Sequence, residues 1–486
     1  MHFRKKRWRC GRASSSPWSL LFFPILPGPV RTVADAQLEA LIAFRDSIVE
    51  DPLGALVSWA PSTHHCSWHG ISCDPSNTSV LAKSLFESQL GGTISPYLGN
   101  ISTLQYLDLS SNALFDPLPV ELGLCSELVV LLGLGRQFFN CAFPDSICNC
   151  SSLFALGLNS NDLTGDIPSS IGNLVNLEIL VAYRHQLSGS IPTSFWSLRL
   201  VKTLDLSENQ LFGMIPSEMG NFSRLSILQL HLNQFFGQIP PELGQCRNLT
   251  LLMLYSNRFT GRLPTSLGNW YTWNCCGCLT TGCPDGSIPS SLMKLSNLTY
   301  LSLSSNNLMG LIPTSLGSHS KLEQLIVHDN GLEGPLPPSI INCSRLAIVS
   351  FLGNRFTGKI PVGLGGLRNL IFFSVGRNFM SGDIPDDLFN CSNLATLDLA
   401  RNRFSGYLKS GVGRLPNLRW LRLHVNSFSG RIPPDIGNLT TLLSLELGET
   451  ALSVRCPWRY QSCRTCEGSL FRRILWMGCS MREFSS

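Results

Sequence analysis

One phrase, N-x-L-x-G-x-I-P, returns along this chain at a step of mostly 24 residues, and it restricts the fold more than any other feature. It reads NDLTGDIP from Asn161, NQLFGMIP from Asn209, NQFFGQIP from Asn233, NRFTGRLP from Asn257, NNLMGLIP from Asn306, NGLEGPLP from Asn330, NRFTGKIP from Asn354 and NSFSGRIP from Asn426. Looser copies begin at Asn112, Asn378 and Asn402, while Ser88, Gln137 and His185 hold the same register without the asparagine. Ahead of these positions stands L-x-x-L-x-L, as in LQYLDLSSN from Leu104 to Asn112. A unit this short cannot bury its own leucines, so only stacking of successive units closes a core.

These are the leucines of a leucine-rich repeat, in about fifteen copies. The expected fold is an α/β repeat: a leucine-rich-repeat solenoid, a curved right-handed superhelix with one parallel sheet on its concave face. The recurring Asn is expected to bond backbone groups where the chain leaves the strand, and repetition stacks these amides into a ladder. G-x-I-P reads as a second extended stretch, since Gly permits the bend and Pro fixes φ. The segment after it supplies a short helical return on the convex side.

The ends need covers. Residues 37–76 read as a helical N-terminal cap, with apolar helical spacing at Leu38, Leu41, Ile42, Phe44 and Ile48 followed by CSWHGISC. Cys66 and Cys73 are expected to form a disulfide there, because residues 1–36 read as a secretory signal, basic then apolar, ending at Ala34-Asp35-Ala36. Nine N-x-[ST] sequons, at Asn77, Asn100, Asn149, Asn221, Asn248, Asn297, Asn342, Asn390 and Asn438, point to glycosylation in the same oxidising pathway. Repeats are expected over 77–448, and an irregular tail over 449–486.

A net charge of +5, with both signs interspersed, provides no basic block that would track a phosphate backbone, so nucleic acid is not an expected partner. No apolar run approaches the length that spans a bilayer. There is no HExxH pair, no Ser/His/Asp constellation and no kinase signature. Neither metal, cofactor nor enzymatic activity is expected. Cys150, Cys246, Cys343 and Cys391 share one position, eleven residues before the Asn, where a small buried apolar side chain suffices.

The cap WAPSTHHCSWHGISC joined to L-x-x-L-x-L-x-x-N-x-L-x-G-x-I-P units resembles the extracellular region of plant leucine-rich-repeat receptor kinases and receptor-like proteins. Within that group, SVGRNFMSGDIPDDLFNCSNLATLDLARNRFSGYLKSGVGRL (Ser374 to Leu415) and ESQLGGTISPYLGNISTLQYLDLSSN look like the flagellin-sensing receptor kinases. The resemblance implies a plasma-membrane pattern-recognition receptor that binds a microbial, flagellin-like peptide across its concave face and recruits a co-receptor leucine-rich-repeat kinase. That family continues into a membrane helix and a kinase, and neither follows here; the expectation is a truncated, extracellular receptor portion. Two other readings are a secreted inhibitor of microbial polygalacturonase and the non-functional product of a decaying receptor gene.

Side chains alternate across a strand, so residues between and after the leucines face the concave side. These are Tyr183, Arg184, His231, Tyr255, His328, Asp329, Arg377, Arg401, Arg422 and His424, aromatic and ionisable groups suited to holding an extended peptide. Tyr255, in LYSN, matches a family unit whose concave Tyr contacts the peptide. Between Asn257 and Asn306 lie 49 residues, two repeats plus one, and NCCGCLTTGC (Asn274 to Cys283) falls where a strand is due. Its leucine positions are expected at Asn274, Gly277 and Leu279. That reads as a degenerate repeat near 270–285 and a defect in the sheet, rather than a four-cysteine metal site.

Overall fold

The computed structural model describes residues 33–453, except 116, 133–141, 160, 271–274, 278–285, 319 and 320. Most of the expected signal segment and of the tail therefore lies outside the described residues. The chain enters through a helix, Val33–Asp46, whose Ala40, Leu41 and Phe44 are fully buried on one stripe. Gln37 lies on the same stripe and is fully buried as well. Its Nε2 donates to Thr103 Oγ1 at 3.1 Å and its Oε1 accepts from the Val80 amide at 2.9 Å, tying helix to first repeat. Trp59 and Trp68 stack at 5.2 Å in the cap, and the disulfide Cys66–Cys73 closes the loop that carries Trp68. An antiparallel pairing of Ile71–Cys73 with Val80–Ser84 then hands the chain over to a parallel sheet.

Every later repeat adds one three-residue strand to that sheet. Thr203, Ile227 and Leu251 are neighbours in register, as are Leu204, Leu228 and Leu252, so the 24-residue step carries each residue onto its counterpart. The leucines point inward: Leu225, Leu228 and Leu230 are all completely buried. At the strand exit the residue before the ladder position takes a left-handed conformation in repeat after repeat, including Arg184, Glu208, Leu232, Ser256, Asp329, Arg377, Arg401 and Val425, with φ between 52° and 61°. This kink turns the asparagine under the sheet. Asn233 Nδ2 donates to Leu206 O (2.8 Å) and Leu230 O (3.2 Å), and its Oδ1 accepts from Leu211 N (3.0 Å). One amide thereby serves three backbone groups of two successive turns.

G-x-I-P forms the second extended layer, as its composition implied. Gln234–Gln238 pairs in parallel with Phe212–Gly213 on one side and Arg258–Thr260 on the other. Gly237 supplies the bend with φ +80°, a region costly for a side chain. Pro240 then leads into the 3₁₀ turn Pro241–Gln245 on the convex side. The glycine of L-G-N has a different duty: a Cβ on Gly244 would stand 2.6 Å from Ser266 Cβ, so the convex turns could not stack as closely.

Two expectations change. The cysteine stretch does not interrupt the sheet, because Cys275–Gly277 forms a strand paired with Leu251–Met253 and Tyr300–Ser302. Cys276, not Gly277, stands opposite Leu252 and Leu301, so the extra residue falls after the strand rather than before it. Backbone pairing needs no leucine, and the stacked neighbours on both sides supply the template. Repeat pairing also runs past Gly448: Ala451–Ser453 joins Ser429–Arg431 in the second layer, and Thr450 Oγ1 donates to Leu447 O at 2.7 Å where an Asn would.

The shared cysteine position is buried, as expected. Cys246 Sγ donates to Met219 O of the preceding turn at 3.3 Å, and burial pushes the thiols of Cys125 and Cys246 up to about 12. These are packing groups with a weak donor, not nucleophiles.

Lys83 breaks the pattern. It occupies a leucine position, opposite Leu107, and is fully buried, with Nζ 2.7 Å from the centre of the Phe44 ring and no hydrogen-bond partner among the described residues. Burial drives its pKa well below the ordinary lysine value. Folding then releases a proton wherever the unfolded chain still holds it, so this group makes stability rise with pH through that window, up to the ordinary lysine value. Lys83→Leu is expected to stabilise the chain by about 1–3 kcal/mol at neutral pH and to remove that slope, as read by urea unfolding at several pH values. Asn233→Ala, which orphans buried backbone groups on two turns, is expected to cost about 2–4 kcal/mol in the same assay.

Candidate ligand-binding face

Because the strands are short and parallel, each contributes two outward side chains flanking its central leucine, followed by the two residues of the exit turn. Stacking converts these into columns along the concave sheet. The column just before the central leucine carries Ile179, Ile227, Leu251, Tyr300, Ile348, Phe372 and Trp420, all half-buried, and is interrupted by Thr203 and Gln324, also half-buried, and by buried Thr396. Counting back from the Asn reaches the exit turn and misses this strip. The residue preceding the second leucine of L-x-x-L would have revealed it.

The expected site residues fall into three groups. In the first, His231 stacks on Tyr255 with ring centres 4.4 Å apart and planes 22° from parallel. The imidazole is only 8% exposed and its buried Nδ1 has no hydrogen-bond partner among the described residues. Burial lowers its pKa, against the pull of Asp205 and Glu208, so it stays neutral at neutral pH. Asp205 is itself raised by burial, while Ser207 Oγ (2.6 Å) and Gln229 Nε2 (2.9 Å) donate to its carboxylate. Nearby, Arg184 Nε meets Glu208 Oε2 at 3.2 Å, and Tyr183 Oη accepts from Asn159 Nδ2 at 3.3 Å. Just beyond the sheet edge, Glu178 is held by Lys202 and by Arg224 at 3.6 Å.

The second group lies near the C-terminal end. Arg422 Nε contacts Glu446 Oε1 at 3.2 Å, and His424 Nδ1 lies 3.1 Å from the other oxygen of the same carboxylate. Asp398, on the floor beside them, accepts from Ser374 Oγ at 3.2 Å and stands 4.0 Å from Arg422. Arg422 is therefore already neutralised by the protein. The third group comprises single exit-turn positions: His328 Nδ1 contacts Asp329 at 3.0 Å, whereas Arg377 and Arg401 are exposed and take part in no ion pair or side-chain hydrogen bond among the described residues. No structure-wide cluster joins all ten residues. They are spread along one face, as suits an elongated ligand and not a compact one.

The sequons occupy a different side. Asn100, Asn149, Asn221, Asn342, Asn390 and Asn438 each end a convex 3₁₀ turn, and all are exposed. Asn248 is exposed just after such a turn, Asn77 is exposed in the cap, and Asn297 is half-buried with its Oδ1 accepting from Lys321 Nζ at 2.7 Å. The concave sheet carries none of them. Among the described residues no helix is long and apolar enough to cross a membrane.

Comparison with known proteins agrees with this architecture. The leucine-rich-repeat N-terminal domain matches residues 34–74, and the leucine-rich repeat matches 103–125, 200–222, 248–270, 297–319 and 417–439. Relatives include the LRR receptor-like serine/threonine-protein kinase SIK1 of Oryza sativa subsp. japonica, 45% identical over 60 residues, 12% of this chain and 6% of that one. Receptor-like protein 50 of Arabidopsis thaliana is 34% identical over 165 residues, 31% of this chain and 18% of that one. The chain thus spans less than a fifth of either relative. Among solved structures, the plant peptide hormone receptor RGFR1 in complex with RGF2 superposes with a TM-score of 0.71 at 31% identity, covering 80% of this chain and 65% of that one. A TDR receptor gives 0.72 at 28% identity, covering 82% and 74%. The chain is a leucine-rich-repeat solenoid with its N-terminal cap, and its relatives are the leucine-rich-repeat receptor kinases and receptor-like proteins of plants.

Proposed function

We propose that this chain is the extracellular recognition module of a plant receptor, and that it holds an extended peptide along the concave sheet. The observation that carries the proposal is the mainly apolar column from Ile179 to Trp420, broken only at Thr203, Gln324 and Thr396 among its described positions, beside the His231–Tyr255 stack. Neighbouring strands are spaced by about 4.8 Å, so that column runs for roughly 45–50 Å, the reach of about 15 extended residues. A peptide lying along it would cover the apolar side chains on either side of these polar positions and place one aromatic or aliphatic group against the stacked rings. The peptide bound to RGFR1 in its complex gives a precedent in a related fold.

The finer identity rests on the Ser374 to Leu415 resemblance, from which we take the ligand to be microbial and flagellin-like and the setting to be defence. Glycans on the convex sequons would leave the concave face bare for it. A co-receptor leucine-rich-repeat kinase is the partner this reading requires, because the proposal assigns the chain recognition and no catalysis. The exposed N-x-[ST] sequons and the Cys66–Cys73 disulfide fit an extracellular site.

The test is a pull-down of the secreted chain with a synthetic flagellin peptide and, separately, with a fungal polygalacturonase. Retention of the peptide is expected, with His231→Ala and Tyr255→Ala each weakening it about 10–100-fold in calorimetric titration, the range of a buried aromatic anchor. Capture of the polygalacturonase without the peptide would replace this reading by the inhibitor one.

A further inference from the structure

Cys125, Cys150, Cys246, Cys343 and Cys391 each close a convex 3₁₀ turn in one shared backbone conformation, with φ between −79° and −73° and ψ between 69° and 78°. All five are fully buried. Their neighbours along the column differ. Cys246 lies between Phe222 and Trp270, and Cys391 between Leu367 and Leu415, so neither thiol has a sulfur in the next coil. Cys125 and Cys150 follow the consecutive turns Val120–Leu124 and Asp145–Asn149, and are the one described pair of this column in successive coils.

The two turns are packed backbone to backbone, since a Cβ on Gly123 would run into Ser146 O. Cys125 Sγ donates to Leu98 O at 3.6 Å, and Cys150 Sγ donates to Leu122 O at 3.5 Å. Leu122 O also accepts from Cys125 N at 3.1 Å. A single carbonyl thus separates the backbone of one cysteine from the sulfur of the other. Neighbouring strands step by about 4.8 Å, and a disulfide bridges Cα atoms roughly 4.4–6.8 Å apart, so in-contact coils present this pair at bonding range. Rotation about χ1 exchanges each carbonyl contact for the other sulfur.

The coil that the pair encloses has the weakest clamp of its own. From Asn112 to Asn161 the chain takes 49 residues, two steps plus one, and Gln137, which lies outside the described residues, stands in the ladder register between them. Elsewhere the ladder amide fixes two successive turns, as Asn233 does for Leu206, Leu230 and Leu211. A bond from 125 to 150 would close this coil covalently and restrict the unfolded chain over the same residues.

We infer that Cys125 and Cys150 become joined by a disulfide when the chain matures in an oxidising compartment, stapling the coil that lacks its asparagine. The oxidant is a disulfide carried by a protein or small thiol of that compartment. One cysteine thiolate attacks it and releases its first thiol, and the second cysteine thiolate attacks the mixed disulfide and releases the other. The pair loses two electrons, which the donor gains, and the two protons leaving the cysteines are taken up by the two released thiolates. Burial pushes the Cys125 and Cys150 thiols up to about 12 and about 11. Neither attacks once the coils have closed, so exchange belongs to the open, folding chain.

The full chain, expressed through a eukaryotic secretory pathway, is denatured in acid with an alkylating agent, digested without reductant and mapped by mass spectrometry. Fragment ions are expected to place one link between Cys125 and Cys150, with Cys246, Cys343 and Cys391 recovered alkylated. The link should persist in Cys148→Ala and vanish in Cys150→Ala. Separately, Cys125→Ala with Cys150→Ala is compared with Cys343→Ala with Cys391→Ala, equally buried cysteines that are not in successive coils. The first pair is expected to lower Tm by about 3–8 °C more than the second, because it removes a crosslink besides the packing. Alkylated Cys125 and Cys150 in the wild-type chain, a link that survives Cys150→Ala, or equal losses of Tm in the two pairs would overturn the inference.

Discussion

Backbone polar groups at the exit of each strand are buried and have to be satisfied within the coil, and the asparagine amide does this across two turns at once. Asn233 serves Leu206, Leu230 and Leu211, and Asn354 does the same one-coil-apart duty for Val327, Phe351 and Leu332. The leucines provide the attraction that brings turns together, but it is non-directional. The amide fixes the register at which they stop. With register fixed, the concave columns, the second extended layer and the convex 3₁₀ turns all follow from one 24-residue step.

Where the asparagine is replaced, the geometry survives by substitution of another acceptor or donor. His185 sits at the same position, buried, with Nδ1 2.8 Å from Asn161 O. Thr450 reaches the carbonyl three residues back. Such replacements make fewer bonds than an amide can, and they occur beside repeats that are complete. The same tolerance explains the cysteine stretch: the strand at Cys275–Gly277 is templated by intact neighbours on both sides. A repeat array whose units contact only their neighbours can carry one weak member in this way.

The repeat, its sheet, the buried cysteine position and the Cys66–Cys73 bridge were legible in the sequence because each follows from spacing or from residue type. Less was legible at the face. The exit-turn residues were found by counting, yet nothing in their identity told which were already neutralised: Arg422 and Arg401 read alike until Glu446 is seen across the next turn. The Ile179 to Trp420 column was overlooked because its members vary from isoleucine to tryptophan, with threonine and glutamine among them, and sit between leucines that dominate the pattern. Lys83 was unreadable for the opposite reason. A lysine in a strand is ordinarily taken as a surface residue, and only the ring of Phe44 above it reveals a position meant for leucine.

The left-handed exit residue has a consequence for how such a surface can change. Its backbone is held by the turn on either side, whatever side chain it bears, and this chain places Arg, Glu, Leu, Ser, Asp and Val there at nearly identical φ. Each of these residues accepts a similar strain of about a kcal/mol, so exchanging one for another alters chemistry while leaving the fold almost indifferent. The column is thus a row of interchangeable lettering on a fixed frame. A lineage can rewrite what the face recognises, one coil at a time, without renegotiating the scaffold beneath it.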